Sequence, residues 1–527
     1  MKPLSAPAYE RMARVTAWLL LALAAVVFLK NAWVCDDAYI SYRSIEQVFA
    51  GNGPRWNPHE RVQVYTSPLW FWTLCLFRVF SPSVFLNGIA AAAIAFAATL
   101  LVLRRALRDD LAWMAASALL LASNGFFDFT TSGLESPLCY LVIALFVGAL
   151  IALERDDDEA ARRRALRRML FAAGALLVCR YDLVTLGAPP LAYAVYRHRL
   201  LYAPRRWAAL ALGALAPFVI WCAFALVYYG TIFPNPAYSK LATGIPQADL
   251  WRQGLRYLGA NAARDTITVV AIALSMAALI TSRRGWARAL AAGVALHVAY
   301  VVHVGGDFML GRFLAFPFFA GVIGALALCA SLPGRARAAV PAGIATVCLV
   351  YWLAYPHTPV NSPLGHVTGD TPPSGVNDER GAYSKATVWY YFTHRDEPPF
   401  PGHGWSREGL WLAESDVCCG MEWSVGFYGY WAGTEKRIVD LFTICDPLLA
   451  RLKVTPGEEW RIGHFKRHAP DGYFESVHHL ENRIVDPDQR RYYEKLVLIT
   501  QSERLFSRER LGAIVAMNLG RYDHYLE

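Results

Sequence analysis

The sequence has no Cys-x-x-Cys pair among its ten cysteines, which argues against a zinc site or a thioredoxin-like motif built on that spacing. Charge is also scarce, at 18% of 527 residues, whereas 55% of the residues are hydrophobic. This composition excludes an ordinary soluble protein, and the length excludes a single globular domain. The formal charge of +9 falls mainly in short loops between apolar runs, so nucleic acid is not expected as a partner. The sequence therefore indicates a polytopic membrane protein.

Signs of a removable signal peptide are also lacking. The first apolar run, at about residues 15–33, follows Arg11 and Arg14 but has no convincing small-residue cleavage site. We therefore expect an uncleaved first helix and a cytoplasmic N-terminus in a bacterial plasma membrane.

Eleven apolar runs approach the length of about 20 residues that a membrane-spanning helix needs. They lie near residues 15–33, 84–103, 110–126, 137–153, 169–180, 183–197, 207–229, 265–281, 287–304, 313–331 and 338–355. The fifth and sixth runs are short and flank Arg180-Tyr181-Asp182, so they form either two tilted spans or one broken pair. Residues 68–80 are too short to span, and we expect them at the membrane interface.

Arginine clusters give an independent test of this topology. They fall in alternate short loops, which the positive-inside rule assigns to the cytoplasm. These clusters are Arg104, Arg105 and Arg108; Arg162, Arg163, Arg164, Arg167 and Arg168; Arg197, Arg199, Arg205 and Arg206; Arg283, Arg284 and Arg288; and Arg335 and Arg337. With an odd number of spans, the loop at 34–83 and the segment after 355 lie on the outer, periplasmic face.

The composition changes after residue 355, where spanning runs end and Pro, Gly, His and charge increase. Residues 356–382 read as a Pro/Gly-rich connector. Later segments alternate between strand-like runs, such as 437–440, and helical runs, such as 446–452. We therefore predict a transmembrane domain at 1–355 and a soluble α/β periplasmic domain at 356–527.

Two adjacent carboxylates, Asp36 and Asp37, follow the first apolar run directly. They have two interpretations. As helix-capping groups they would simply favour a helix N-terminus. As functional groups they would supply a general base for an attacking hydroxyl, or oxygen ligands for a divalent metal ion. The loop after them is rich in turns, aromatic side chains and polar donors, which suits a pocket over a membrane.

Other ionisable side chains gather at helix ends on the predicted outer face. Each alone would be an interfacial anchor or a helix cap. Several clusters on one face indicate a shared site, because ionisable groups near a bilayer are costly. Cationic groups there would hold a phosphate, which suggests a lipid-phosphate donor. These groups are Arg180, Lys240, His303 and Arg312, and Asp182 lies beside Arg180 in the sequence.

The ordered motifs resemble the GT-C superfamily of membrane glycosyltransferases, and within it the mycobacterial terminal arabinofuranosyltransferases of the AftB type and their bacterial relatives. The resemblance covers nearly the whole chain. It rests on residues 36–43, 51–57, 64–70, 131–135, 305–309 and 311–313, and on 429–430, 439–441, 446–451 and 461–465 in the outer domain.

This resemblance implies a GT-C fold and transfer of a sugar, arabinofuranose, from a polyprenyl-phosphate donor to a glycan or glycoprotein acceptor of the cell envelope. It implies Asp36 and Asp37 as catalytic residues. The surrounding residues that it implies are Arg43, Tyr65, Glu135, His303, Asp307 and Arg312. The need for a divalent metal stays open.

Other functions remain in view. A transporter or flippase of a lipid-linked sugar would share the polar face, but we see neither internal repeats nor midplane charges. A GT-C enzyme that uses another sugar, such as mannose, and a structural or assembly protein are further alternatives. We also predict a disulfide between Cys445 and either Cys418 or Cys419, since all three would lie in an oxidising compartment.

Overall fold

A computed structural model describes residues 6–241, 243–364, 367, 369, 372–394, 396–455, 457 and 459–526. Within these residues the α-helices α1 to α23 are, in chain order, Ala6–Asn31, Asp36–Phe49, Pro68–Phe80, Val84–Leu107, Asp110–Ala122, Asn124–Asp128, Ser136–Arg155, Glu159–Cys179, Val184–Arg197, Pro204–Tyr228, Asn235–Leu241, Gln247–Arg264, Thr266–Thr281, Gly285–His303, Ala315–Cys329, Ala336–Ala354, Glu379–Ala382, Val388–His394, Gly404–Glu414, Val425–Trp431, Tyr473–His479, Pro487–Gln501 and Arg508–Asn518. The strands are β1, Cys419–Glu422, and β2, Arg437–Asp440. Short 3₁₀ helices lie at Tyr181–Leu183, Arg199–Leu201, Leu449–Arg451 and Asp523–Tyr525.

Each of the eleven predicted runs overlaps a helix: α1, α4, α5, α7 to α10, and α13 to α16. Among the described residues, six helices are long and apolar enough to cross a membrane: α1, α4, α7, α10, α14 and α16. A seventh span results if α12 and α13, which are bent by 109° at their junction, are counted as one. The chain is therefore a multi-pass helical protein, and the predicted number of eleven spans is not confirmed.

Side-chain caps explain several helix starts. Asp109 accepts hydrogen bonds from the N–H groups of Leu111 and Ala112, both at 3.0 Å, and so caps α5. Asp158 caps α8 in the same way. Such caps satisfy backbone donors that a helix start leaves unpaired. The pair of runs around Arg180 forms two separate helices, because α8 ends at Cys179 and α9 begins at Val184.

The chain folds as two compact units, each built from three segments. The first unit comprises Met1–Val34, Gly88–Phe218 and Ala248–Trp389, and the second comprises Cys35–Asn87, Val219–Gln247 and Tyr390–Glu527. Each unit therefore takes segments from both sides of residue 355. The predicted domain boundary at that point stays a prediction.

Helix α15 is the centre of the first unit. It is apolar on all sides and packs against α5, α7, α13 and α14, as expected for a helix without a polar face. Glycine allows close packing here, since a Cβ on Gly324 would lie 2.4 Å from Leu290 Cδ2. The result is a tightly packed helical core directly after the loop at 304–314.

The loop at 304–314 is held by backbone contacts. A Cβ on Gly311, where φ is +82°, would lie only 2.4 Å from the Cα of Gly125, so the two chain segments touch through their backbones. Asn377 donates its N–H to the carbonyl of Phe308 at 2.7 Å and accepts the N–H of Leu310 at 2.8 Å. These contacts fix the backbone that carries two of the predicted site residues.

In the second unit, α2 packs against α20. Strands β1 and β2 pair in parallel, with Cys419 opposite Arg437 and Glu422 opposite Asp440. The strand-like run at 437–440 is therefore confirmed as a strand. The run at 446–452, predicted as helical, forms only the 3₁₀ helix Leu449–Arg451. Asp446 precedes this helix and accepts the N–H groups of Leu448 and Leu449.

Candidate functional site

Asp36 is the first residue of α2 and is 4% exposed, whereas its neighbour Asp37 is half-buried. The N-terminus of α20 faces Asp36 within the second unit. Phe427 donates its N–H to Asp36 Oδ1 at 2.6 Å, and Gly426 donates its N–H to Oδ2 at 3.0 Å. Charge-assisted bonds of this kind are stronger than neutral ones. Both carboxylate oxygens are thus held by backbone donors.

Gly426 permits this approach of α20 to α2. A Cβ at Gly426 would lie 1.9 Å from the carbonyl oxygen of Asp36 and 2.6 Å from its carboxylate carbon. No side chain larger than glycine fits at that distance. The residue at position 426 therefore decides whether the two backbone donors reach the carboxylate.

Burial raises the pKa of Asp36 to about 7. The amide hydrogen bonds from Phe427 and Gly426 act to lower it, whereas the charges of Asp37 and Asp440 act to raise it further. The balance follows from the cost of placing a charge in a medium of low polarity. A carboxyl group with this pKa changes protonation state near neutral pH, so the charge that Asp36 places beside Asp37 depends on pH.

Asp440, at the end of β2, belongs with this site, although the predicted site residues did not include it. Burial raises its pKa to about 7 as well, and it accepts the N–H groups of Phe442 at 2.9 Å and Cys445 at 2.8 Å. The only sequence signal was its place in the motif at 439–441. Nothing in that motif shows that its charge acts on Asp36, 404 residues earlier in the numbering.

Arg43 is 1% exposed and is used inside the fold. Its guanidinium donates to the carbonyl oxygens of Gly433 at 2.6 Å and Lys436 at 2.7 Å, and also to that of Gly429. Nε donates to the carbonyl of Trp56 at 3.1 Å. This side chain fixes the loop between α20 and β2, so its place in the structure is that of a positioning residue for α20.

Tyr65 and Lys240 also lie in the second unit. The hydroxyl groups of Tyr65 and Tyr229 are 2.7 Å apart, and the ring of Tyr65 stacks on Phe71 with centroids 3.9 Å apart. Lys240 lies in the last turn of the short helix α11. Of the predicted site residues, this unit therefore contains Asp36, Asp37, Arg43, Tyr65 and Lys240.

The first unit contains the other six, and five of these form one network of ion pairs. Arg180 binds Asp182 through two contacts of 2.9 Å and also pairs with Glu135. Arg312 lies 3.3 Å from Glu135 and 3.6 Å from Asp307. Two cations therefore face three carboxylates, which leaves the network acidic by one charge if all five groups are ionised.

Burial acts to raise the pKa of Glu135, but Arg180 and Arg312 outweigh it and hold that pKa below its usual value. Aromatic rings cover the arginines: the Arg180 guanidinium lies 5.1 Å from the centre of the Phe313 ring. His303, the sixth residue, ends α14, where its Nδ1 accepts the indole N–H of Trp251 at 3.2 Å. The predicted phosphate-binding role of these cations stays a prediction.

The predicted disulfide is wrong, because Cys418, Cys419 and Cys445 form no disulfide bond in the structure. Cys445 is fully buried beside Asp440, which accepts its N–H. Cys418 and Cys419 instead lie next to each other, with their sulfur atoms 3.0 Å apart, and near His478. The two adjacent thiols lie beside the end of α21, where Cys418 Sγ is 3.4 Å from His478 Nδ1 and Cys419 Sγ is 4.0 Å from the carbonyl oxygen of Val477.

Comparison with solved structures identifies the class of fold. Over 82% of this chain and 87% of the other, the structure matches ArnT from Cupriavidus metallidurans in the apo state, with a TM-score of 0.52 and 13% sequence identity. The predicted helical membrane fold of the GT-C type is confirmed, whereas the number of spans and the C-terminal α/β domain stay predictions.

Two curated proteins provide the more particular likeness. The terminal β-(1→2)-arabinofuranosyltransferase of Mycobacterium tuberculosis is 29% identical over 361 residues, which cover 58% of this chain and 55% of the relative. The Corynebacterium glutamicum protein of the same name is 29% identical over 335 residues, covering 55% and 47%. No family model matches the sequence. The chain spans about half the length of these relatives, and the predicted resemblance to them is confirmed. The matched part is 58% and 55% of this chain, not nearly the whole of it as expected.

Proposed function

We propose that this chain is a membrane glycosyltransferase that transfers arabinofuranose from a polyprenyl-phosphate donor to a cell-envelope glycan or glycoprotein. The aspartate pair carries the proposal. Asp36 is buried, with a pKa of about 7, and Asp37 beside it is half-buried. The likeness to two arabinofuranosyltransferases supports the choice of sugar.

Asp37 is the carboxylate that we assign to proton transfer, because it is the more exposed of the pair and therefore the one within reach of an acceptor, whereas Asp36 is buried. In the reaction, the acceptor hydroxyl oxygen forms a bond to the anomeric carbon and its proton passes to Asp37. The bond from the anomeric carbon to the donor's phosphate oxygen breaks, and the polyprenyl phosphate leaves with the electron pair. Asp36 positions α2 and sets the charge beside Asp37.

The decisive experiment measures sugar transfer by the purified protein from synthetic polyprenyl-phosphoryl arabinofuranose. Loss of a general base slows a reaction by about 10²- to 10⁴-fold, so we expect D37N to fall in that range. D416N, at an exposed aspartate of the same unit, is the matched control. Full activity of D37N would refute the assignment, and transfer from a mannose donor alone would replace the proposed sugar.

The proposed location is the bacterial plasma membrane, with the N-terminus in the cytoplasm and the C-terminal segment in the periplasm. Alternation of the arginine clusters supports this orientation. We expect a membrane-impermeant thiol reagent to label a cysteine at exposed Glu481 in intact cells. One at exposed Arg283 would be labelled only after permeabilisation. Both variants need a background without Cys418 and Cys419, and the reverse result would invert the topology.

A further inference from the structure

Three metal-binding side chains converge in the second unit at a place that the aspartate site does not use. The sulfur atoms of Cys418 and Cys419 are 3.0 Å apart, and Cys418 Sγ lies 3.4 Å from His478 Nδ1. All three ligand atoms lie within 4.8 Å of one another. Within the residues that the structure describes, this is the one cluster of three or more such ligands.

The backbone explains why residues 60 positions apart meet here. Cys419 opens β1, where it pairs with Arg437 of β2. Helix α21 packs against β2 and ends at His479, so His478 lies in its last turn. The Cys419 thiol points to the same turn, since its sulfur lies 4.0 Å from the carbonyl oxygen of Val477. Val477 is part of the buried core of this unit, which fixes the helix end beside the strand.

We propose that Cys418, Cys419 and His478 form a binding site for Zn²⁺, with the fourth position open to water. Two thiolates and an imidazole are typical ligands of this ion. Tetrahedral coordination at Zn–S of about 2.3 Å and Zn–N of about 2.0 Å places two sulfurs roughly 3.8 Å apart and a sulfur and a nitrogen roughly 3.6 Å apart. The observed separations of 3.0 and 3.4 Å are within 1 Å of these values.

The surroundings allow this small adjustment. Both cysteines are half-buried and His478 is exposed, so none of the three side chains is enclosed by a rigid core. Thiols bind Zn²⁺ as thiolates, so binding would release their protons. The site ties the start of β1 to the end of α21, and its occupation would stabilise that contact.

Zinc binding is measurable on the full-length protein in detergent, reduced and stripped with a chelator, by titration against a zinc-chelating dye. We expect one Zn²⁺ per chain and at least tenfold weaker binding in C418S, C419S and H478A. H479A is the matched control, because the neighbouring exposed His479 is not part of the cluster. C222S, at a thiol elsewhere in the unit, controls for general loss of a cysteine and should bind as the wild type does.

A second readout does not depend on affinity. Co²⁺ in place of Zn²⁺ should give thiolate-to-metal charge-transfer absorption in the wild type and H479A, and lose it in the double variant C418S/C419S. Because His478 is exposed, H478A is expected to fold, and its melting curve without metal should match that of the wild type. Zn²⁺ should raise the melting temperature of the wild type by a few degrees and leave that of H478A unchanged.

Two results would overturn the proposal. One is binding of Zn²⁺ by H478A with wild-type affinity. The other is isolation of the native protein with Cys418 and Cys419 joined in a disulfide, since neither sulfur would then be available as a thiolate. Sugar transfer is not a readout in these experiments, so their outcome does not depend on the proposed function.

Discussion

The substitution D36N tests the physical basis of the candidate site most directly. In the folded protein the pKa of Asp36 is about 7, compared with an ordinary value of 3.8. The folded state therefore keeps the proton up to about pH 7, whereas the unfolded chain gives it up near pH 4. Stability from this group is fully present below pH 4 and is lost as the pH rises through 7. Since one pKa unit is worth about 1.4 kcal/mol, the total is about 4 kcal/mol.

Asparagine has no such titration but accepts only one of the two N–H groups that Asp36 accepts. At pH 5 we expect D36N to be less stable than the wild type by an amount that includes about 1–3 kcal/mol for the unsatisfied donor. Between pH 5 and 6.5 the difference should shrink by about 1.4 kcal/mol per pH unit, because only the wild type loses stability through Asp36. Above pH 8 it should stop changing.

The assay is denaturant unfolding of the detergent-solubilised protein, followed by tryptophan fluorescence at several pH values from 5 to 8.5. D416N is the control, because Asp416 is exposed and its curve should run parallel to that of the wild type. Carboxyls remote from the site titrate alike in both proteins, so the difference between wild type and D36N reports on Asp36 and on its coupling to Asp37 and Asp440. A difference that stays constant over this range would refute a raised pKa at Asp36 and with it our account of the site.

Three further predictions concern the neighbours of the site and the ion-pair network. G426A should lower the melting temperature and abolish sugar transfer, because the added Cβ would lie 1.9 Å from the carbonyl oxygen of Asp36. G404A, where no atom lies within 4 Å of the added Cβ, should behave as the wild type in both assays. R43K should lower the free energy of unfolding, measured with denaturant, by about 2 kcal/mol or more, because lysine cannot reach all the carbonyl oxygens that Arg43 binds. R407K, at an exposed arginine, should change it little. If the network binds the donor phosphate, R312A should raise the KM for the lipid donor more than the KM for the acceptor. The ion pairs of Arg312, at 3.3 and 3.6 Å, are longer than those of Arg180 with Asp182, so Arg312 is the arginine that we expect to contact the phosphate. A change confined to the KM for the acceptor would contradict that role.

Hydropathy was sufficient to locate helices, because each apolar run long enough to cross a membrane satisfies its backbone within itself. It was a poorer guide to the number of spans, since α5, α9 and α15 are helical but short. The aspartate pair was recognisable by its place directly after an apolar run. Its partners were not, because the N–H groups of Gly426 and Phe427 belong to the backbone and leave no mark in the sequence.

The contacts of the cysteine and arginine side chains were also not predictable from the sequence. The wrong disulfide came from reasoning about compartment, which says where thiols are oxidised and not which thiols meet. The spacing rule for zinc sites likewise misses a ligand pair of adjacent cysteines completed by a distant histidine. Arg43 looked like a group available to a ligand, but the carbonyls of the loop between α20 and β2 occupy it. Each of these contacts depends on tertiary placement.

The hydrogen bonds to Asp36 also have a consequence for biosynthesis. The two donors follow the acceptor by 390 and 391 residues along the chain. At about 5–20 residues per second, the ribosome needs roughly 20 to 80 seconds to make the intervening segment. Throughout that time Asp36 is already in place after the first helix, but it lacks the later segment whose packing buries it, and burial is what raises its pKa. A chain released or truncated before residue 426 would present Asp36 as an ordinary acidic carboxylate, so its raised pKa appears only after that residue has been made.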